Sequence, residues 1–242
     1  MASTRREFVT RSAAMLASST FVRFDGLRPK MAETPIVLFQ GDSITDGGRN
    51  RSITAANDPA GLGVAYPLQV LQMLVAPKPF LSIKVYNRGV SGNTVADLRD
   101  RWQADTLDLK PTILSILIGV NDVWHTIGKT PADEVVATYE SGYTALLDRT
   151  RAALPDTRIV VLEPFVLRTG AVTDAWFPEF DQLRAACRRV SDHAGAQFIG
   201  LHEMFQERAA RTSPAYWAAD GVHPTAAGHE AIAREWINAI KL

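Results

Sequence analysis

A single cysteine, Cys187, among 242 residues excludes an internal disulfide and any zinc site built on cysteine. Net charge is also missing: 26 basic and 26 acidic side chains cancel. What imbalance exists is local. Residues 1–30 carry Arg5, Arg6, Arg11, Arg23, Arg28 and Lys30 against Glu7 and Asp25, which leaves the remainder with 20 basic and 24 acidic groups. A mildly acidic body lacks the electrostatic footprint of a nucleic-acid binder. No apolar run approaches the roughly 20 residues of a membrane span. Neither nucleic acid nor membrane is therefore expected as a partner. No repeat or low-complexity tract is present. Hydrophobic residues at 46%, with 16 Gly and 13 Pro, give an ordinary globular composition, enough for one core. Cys187 then reads as a small apolar group on a buried helix face.

Residues 1–30 stand apart. Thr4-Arg5-Arg6-Glu7-Phe8-Val9 resembles the twin-arginine export signal, and a weakly apolar stretch, 13–22, follows it until Arg23. The expectation is a protein exported to the periplasm or the exterior. The alternatives are a disordered basic tail on a cytoplasmic protein, or sequence upstream of a start at Met31. Residues 31–242 are read as one domain.

From Pro35 onward, short β-branched runs alternate with segments of helical period. Strands are expected at 36–40, 82–87, 112–118, 158–163 and 197–201, and helices at about 65–76, 94–104, 131–153, 178–194 and 225–240. Lys129-Thr130-Pro131 supplies a cap-then-proline start to the third of these helices. Ile113-Leu114-Ser115-Ile116-Leu117-Ile118 is apolar on nearly every residue, as a parallel strand covered on both faces must be. Right-handed crossovers then give a doubly wound α/β/α sandwich, a flavodoxin-like three-layer arrangement with a central parallel sheet of about five strands. Ligands of such sheets bind beyond the carboxyl ends of the strands, so the loops there hold the candidates.

Gly41-Asp42-Ser43-Ile44-Thr45 leaves the first strand. Its serine is either a turn residue or a hydroxyl presented to a cleft beside backbone N–H groups. Ser91-Gly92-Asn93-Thr94 follows the second strand. There Asn93 or Thr94 caps a helix, or Gly92 brings its N–H against a bound carbonyl oxygen. Asn121 in Gly119-Val120-Asn121-Asp122 is a turn residue or an amide donor to that oxygen. Asp220-Gly221-Val222-His223-Pro224 enters the last helix, capped by Thr225. This loop could set a carboxylate on one imidazole nitrogen and leave the other for a serine hydroxyl.

Together, Gly-Asp-Ser-Ile-Thr, Ser-Gly-Asn, Gly-Val-Asn-Asp and Asp-Gly-Val-His-Pro resemble, in order, the four blocks of the SGNH hydrolases, or GDSL-type esterases, over residues 35–240. A finer resemblance, through Ser43–Arg49, Gly61-Leu62-Gly63, Asn87–Thr94, Ile118–Trp124 and His223–His229, is to the acetylxylan-esterase branch, with a departure at Ala218-Ala219, where relatives often carry an aromatic residue. The resemblance implies a serine esterase without metal or organic cofactor that removes acetyl groups from carbohydrates such as acetylated xylo-oligosaccharides. It assigns Ser43, Asp220 and His223 as the triad and Ser43, Gly92 and Asn121 as the oxyanion hole. Asp42, Trp124, His125, Trp176 and Trp217, with Tyr216 nearby, are the candidate substrate contacts, since flat rings stack on pyranoses.

Lysophospholipase or thioesterase activity is the alternative within the family, and a non-catalytic carbohydrate-binding protein the alternative outside it. A metal-dependent hydrolase would have to draw on His202, Glu203, His223 and His229, which lack a His-Glu-x-x-His spacing. His193 reads as a cation at a helix C-terminus, and the charges of 178–194 as a solvated face.

Overall fold

The computed structural model describes residues 34–78 and 80–241, and the twin-arginine-like segment lies outside them. Five strands, β1 (Ile36–Gly41), β2 (Lys84–Asn87), β3 (Ile113–Leu117), β4 (Arg158–Leu162) and β5 (Gln197–Ile199), form one parallel sheet in the order β2-β1-β3-β4-β5. The helices are α1 (Ser43–Asp46), α2 (Pro59–Leu62), α3 (Tyr66–Val75), α4 (Val95–Trp102), α5 (Val120–Trp124), α6 (Ala132–Ala153), α7 (Glu179–His193), α8 (Leu201–Ala209), α9 (Pro214–Trp217) and α10 (Ala226–Ile240).

Alternating side chains of β1 divide the layers. Phe39, level with Ser115 of β3, faces α3 and α10: its ring meets Tyr66 edge-on and Trp236 at 5.3 Å. Gln40 points to the other face, where its amide donates to Thr106 Oγ1 at 2.8 Å just beyond α4. Trp102 of α4 reaches Thr150 of α6 on that side, at 3.0 Å. Every residue of β3 is buried, as the unbroken apolar run requires. One buried hydroxyl interrupts it, and Trp236 Nε1 donates to that Ser115 Oγ at 3.0 Å.

Several boundaries differ from the sequence expectation for local reasons. The helix after β2 starts on a capping box, Thr94 with Asp97, and runs into a π-helical turn, Gln103–Leu107. Thr130 does not cap α6; Pro131 occupies that place without a side-chain bond. The run 197–201, read as strand, ends at Ile199, and Leu201 instead opens α8. The charges of α7 are not all solvated: Arg184 donates to Glu163 at 2.9 Å, and Glu179 is buried. Cys187 is fully buried on α7, and His193 ends that helix with Nε2 3.0 Å from Asp148.

The strand order reverses direction between β1 and β3, which opens the crevice at the carboxyl edge where α1 and α5 begin. The Trp236–Ser115 bond clamps α10 to the sheet beneath it. Trp236→Phe keeps the ring and strands the Ser115 hydroxyl, so urea denaturation should show a loss of about 1–3 kcal/mol. Adding Ser115→Ala should recover part of that loss, and a strictly additive double variant would refute the coupling.

Candidate active site

Three loops and the entrance to α10 meet at this edge. Ser43 is the first residue of α1, whose cap is the Asp42 carboxylate accepting from Ile44 N–H at 3.0 Å. Ser43 Oγ lies 2.8 Å from His223 Nε2, across 180 positions of sequence. His223 Nδ1 lies 2.6 Å from Asp220 Oδ2. The other oxygen of Asp220 accepts the backbone N–H groups of Val222 at 2.9 Å and His223 at 2.7 Å. Partial burial works against the Asp220 charge, but the His223 ring and these two amides outweigh it and hold the carboxyl below its ordinary range. An ionised carboxylate only accepts, so it places the imidazole proton on Nδ1 and leaves Nε2 to accept from the Ser43 hydroxyl. Such a series of hydroxyl, imidazole and carboxylate can generate an alkoxide-like nucleophile.

The loop carrying Asp220 and His223 is held from behind. Leu167 N–H donates to Gly221 O at 2.8 Å, and Ala171 N–H to Asp220 O at 2.9 Å. Gly221 has φ +86°, and a Cβ there would sit 2.5 Å from Leu167 O and 2.4 Å from Thr169 O. Only glycine fits that turn. In the loop after β4 only Trp176 was singled out, because the backbone contacts that grip Asp220 and Gly221 leave no side-chain signature.

Besides Ser43, the candidate oxyanion donors lie just beyond the carboxyl ends of β2 and β3, the two strands that flank β1. Gly92 is exposed with φ +84°, and among the described residues no acceptor takes its N–H or that of Ser43. Asn121, on α5, is buried, and its Nδ2 spends one proton on Asn93 O at 3.0 Å. An amide carries two such protons, so one remains for a ligand. Asp122 ties this element to α4 by accepting Val95 N–H at 3.1 Å. Asp46, which sequence reading passed over, binds Ser91 from the end of α1. Its signal was available: an acid one helical turn past the serine, before Gly47-Gly48.

The candidate substrate contacts separate. Trp124 is half-buried with its ring 6.0 Å from that of His223, and it forms one wall of the crevice. His125 is exposed at the end of α5. Asp42 is not brought to the cleft: it is 1% exposed beneath α1. Trp176 is 3% exposed and backs Trp124 at 5.5 Å, donating Nε1 to Ala171 O. Its burial leaves no face for a sugar. Trp217 turns away toward Phe205, Tyr216 and Thr212 Oγ1, and its carbonyl accepts Thr225 N–H at 2.8 Å. It does not substitute for an aromatic residue next to Asp220, where Ala219 is exposed. Tyr216, 55% exposed, stacks edge-on against it.

Of the remaining histidines, His202 lies on α8 with its backbone N–H on Glu163, and burial lowers its pKa. Burial, aided by the His223 charge, pushes His229 down to about 4, so it stays neutral beside the triad. Among the described residues no three His, Cys, Asp or Glu side chains are grouped to hold a metal.

The three-layer sandwich and these blocks define a serine-type hydrolase of one recognisable class, and residues 39–231 match the GDSL-like Lipase/Acylhydrolase family: the chain belongs to that family. It is a carboxylic ester hydrolase. It is 35% identical over 209 residues to the acetylxylan esterase of Geobacillus stearothermophilus, covering 84% of this chain and 93% of that one. The crystal structure of that esterase, Axe2, superposes with a TM-score of 0.76 at 34% identity, over 86% of this chain and 94% of that one. A Parabacteroides merdae protein named as a GDSL-like lipase gives a TM-score of 0.80 at 42% identity, covering 86% and 95%.

Burial pushes the Asp42 carboxyl up to about 7, against its cap to Ile44, and the nearby Asp122, itself raised to about 7 by burial, adds to the rise. The folded state therefore holds the Asp42 proton more tightly than the unfolded chain does, and its contribution to stability is lost as pH climbs from about 4 to above 7. Asp42→Asn keeps a cap and removes the titration. Its stability relative to the parent should improve between pH 4 and pH 8 by an amount on the order of 2–4 kcal/mol. Urea midpoints at the two pH values measure this; a pH-independent difference would contradict it.

Proposed function

We propose that the chain is a serine esterase removing acetyl groups from carbohydrate substrates such as acetylated xylo-oligosaccharides. The observation that carries the mechanism is the 2.8 Å contact between Ser43 Oγ and His223 Nε2. Ser43 Oγ attacks the acetyl carbonyl carbon as His223 Nε2 takes its proton, and Asp220 stabilises the imidazolium that forms. The carbonyl oxygen, now anionic, is met by the N–H groups of Ser43 and Gly92 and the free amide proton of Asn121. His223 returns the proton to the departing sugar oxygen. A water deprotonated by the same nitrogen then releases acetate and restores Ser43.

The acetyl-sugar assignment is supported by three observations. The relative named acetylxylan esterase matches over most of both chains. Trp124 offers an aromatic wall next to His223, on the side where the leaving alcohol must take its proton. The imidazole itself is 43% exposed, which leaves room for a bulky alcohol. Export by the twin-arginine-like segment would place the enzyme where such polymers are met, and mass spectrometry of the native N-terminus tests it.

Ser43→Ala should fold normally and lose roughly 10⁴-fold or more of kcat/KM on an acetyl ester. Retention of parental kcat/KM would reject the mechanism. A panel of acetylated xylo-oligosaccharides, a lysophospholipid and an acyl-thioester, read by product analysis, tests the substrate class. Preference for either of the last two would replace the carbohydrate reading. Trp124→Ala should raise KM for the acetyl-sugar by about 10-fold while leaving a small acetyl ester nearly unaffected.

A further inference from the structure

α1 is a single turn ending at Gly47, and a helix that short has little rigidity of its own. The Ser91-Gly92 turn opposite it is exposed. Yet an oxyanion hole works only if its donors stand in place before charge develops. Something must therefore fix the Gly92 N–H relative to the Ser43 hydroxyl. The carboxylate of Asp46 is 2% exposed and belongs to the last residue of the helix that Ser43 opens. Its Oδ2 accepts the Ser91 backbone N–H at 2.9 Å, the Ser91 hydroxyl at 2.9 Å and Arg51 Nη2 at 2.5 Å. Its Oδ1 accepts Arg49 N–H at 3.2 Å.

We propose that Asp46 is a positioning residue for the reaction: its carboxylate locks the Ser91-Gly92 turn to α1, so that the Gly92 N–H stands where the oxyanion forms. The neighbouring bonds act in the same sense. Arg49 Nε donates to Gly89 O at 2.8 Å, and Asn87 Nδ2 donates to Thr45 O at 2.7 Å. Arg51 has a second effect, since an unpaired anion so close would oppose the charge of the tetrahedral intermediate. Burial works against the Asp46 charge, but Arg51 and the two Ser91 donors outweigh it and hold the carboxyl ionised, below its ordinary range. Asparagine at this place would accept through one oxygen only and turn its amide NH₂, itself a donor, toward a donor.

The role rests on the serine-esterase mechanism above, so Ser43→Ala is assayed in parallel. Asp46→Asn and Ser91→Ala are measured for kcat and KM on p-nitrophenyl acetate, for affinity toward a boronic acid that forms a tetrahedral adduct on Ser43, and for folding by near-UV circular dichroism. Asp46→Asn should lower kcat about 100-fold, the cost of roughly an ångström of misplacement. KM should stay within about threefold, and boronate affinity should fall with kcat, because only the transition state uses the displaced donor. Ser91→Ala keeps the backbone bond and should show the same pattern at about 5- to 10-fold, the loss of one hydrogen bond to a charged group. A folded Asp46→Asn with parental kcat overturns the proposal, as does a loss of kcat without a loss of boronate affinity. Should Asp46→Asn not fold, Ser91→Ala decides on the same two criteria. Activity retained by Ser43→Ala would instead overturn the esterase mechanism, whereas an inactive Ser43→Ala beside an unimpaired Asp46→Asn overturns the positioning role alone.

Discussion

The hydrogen bond between Ser43 and His223 joins the exit of the first strand to the entrance of the last helix, and the architecture between them serves to make it possible. Neither partner sits on a rigid element alone. Ser43 opens a one-turn helix, and His223 lies in a loop. Their separation is set by α10, which Trp236 clamps to Ser115 in the middle of the sheet, and by the loop after β4, whose backbone grips Asp220 and Gly221. Core packing thus fixes a distance that local structure could not. The sheet order brings β1 and β3 together at the switch point, so Ser43 and Asn121 emerge on the same edge without any long-range side-chain contact between them.

Four aspartates around this edge show how environment, not residue type, decides what a carboxyl does. Asp42 and Asp122 are enclosed with one oxygen each left without a partner, and burial drives both up to about 7. Asp46 and Asp220 receive several donors each and remain charged despite burial. The first pair holds short helices in place: Asp42 caps α1, and Asp122 ties α5 to α4. The second pair faces the groups that the proposed chemistry uses, Gly92 through Ser91 in one case and His223 in the other. Carboxyls raised by burial and carboxyls held low by several donors alternate within a few residues of one another, a division that follows from the count of available donors.

The sheet was legible because parallel strands buried on both faces must be apolar throughout, and long amphipathic helices must repeat every turn. Both signals are carried by single stretches such as 113–118 and 178–194. The residues of the crevice were legible as short blocks for a related reason, since a glycine, a serine and an imidazole at loop tips are placed by backbone geometry. What stayed hidden depended on tertiary partners. Trp176 and Trp217 looked like loop residues near the site, yet Trp176 is buried against Trp124, and Trp217, at the end of α9, packs toward Phe205. Loop position alone could not tell a wall from a buttress. Asp42 looked available for the same reason, and α8 was obscured because Ile199 and Leu201 continue an apolar run across Gly200. Asp46 stood in plain view one turn past Ser43, but its partner Ser91, 45 positions away, was not legible.

Exposure at the crevice is divided unevenly, and the division bears on the proposed chemistry. Asn121 is buried and Ser43 half-buried, whereas His223 opens to solvent. A buried donor gains strength from low local polarity, which favours the side where charge develops. The imidazole must instead exchange a proton first with a leaving alcohol and then with water, and both must reach Nε2 from outside. Enclosing His223 would slow that exchange, and exposing Asn121 would dilute its field. On the proposed reading the acyl oxygen meets one buried donor, Asn121, beside the Gly92 turn, and the alcohol half meets an open imidazole. That asymmetry suits a small acyl group on a large alcohol better than the reverse. Trp124, its ring 6.0 Å from that of His223, flanks the open side, where the proposed sugar would stand.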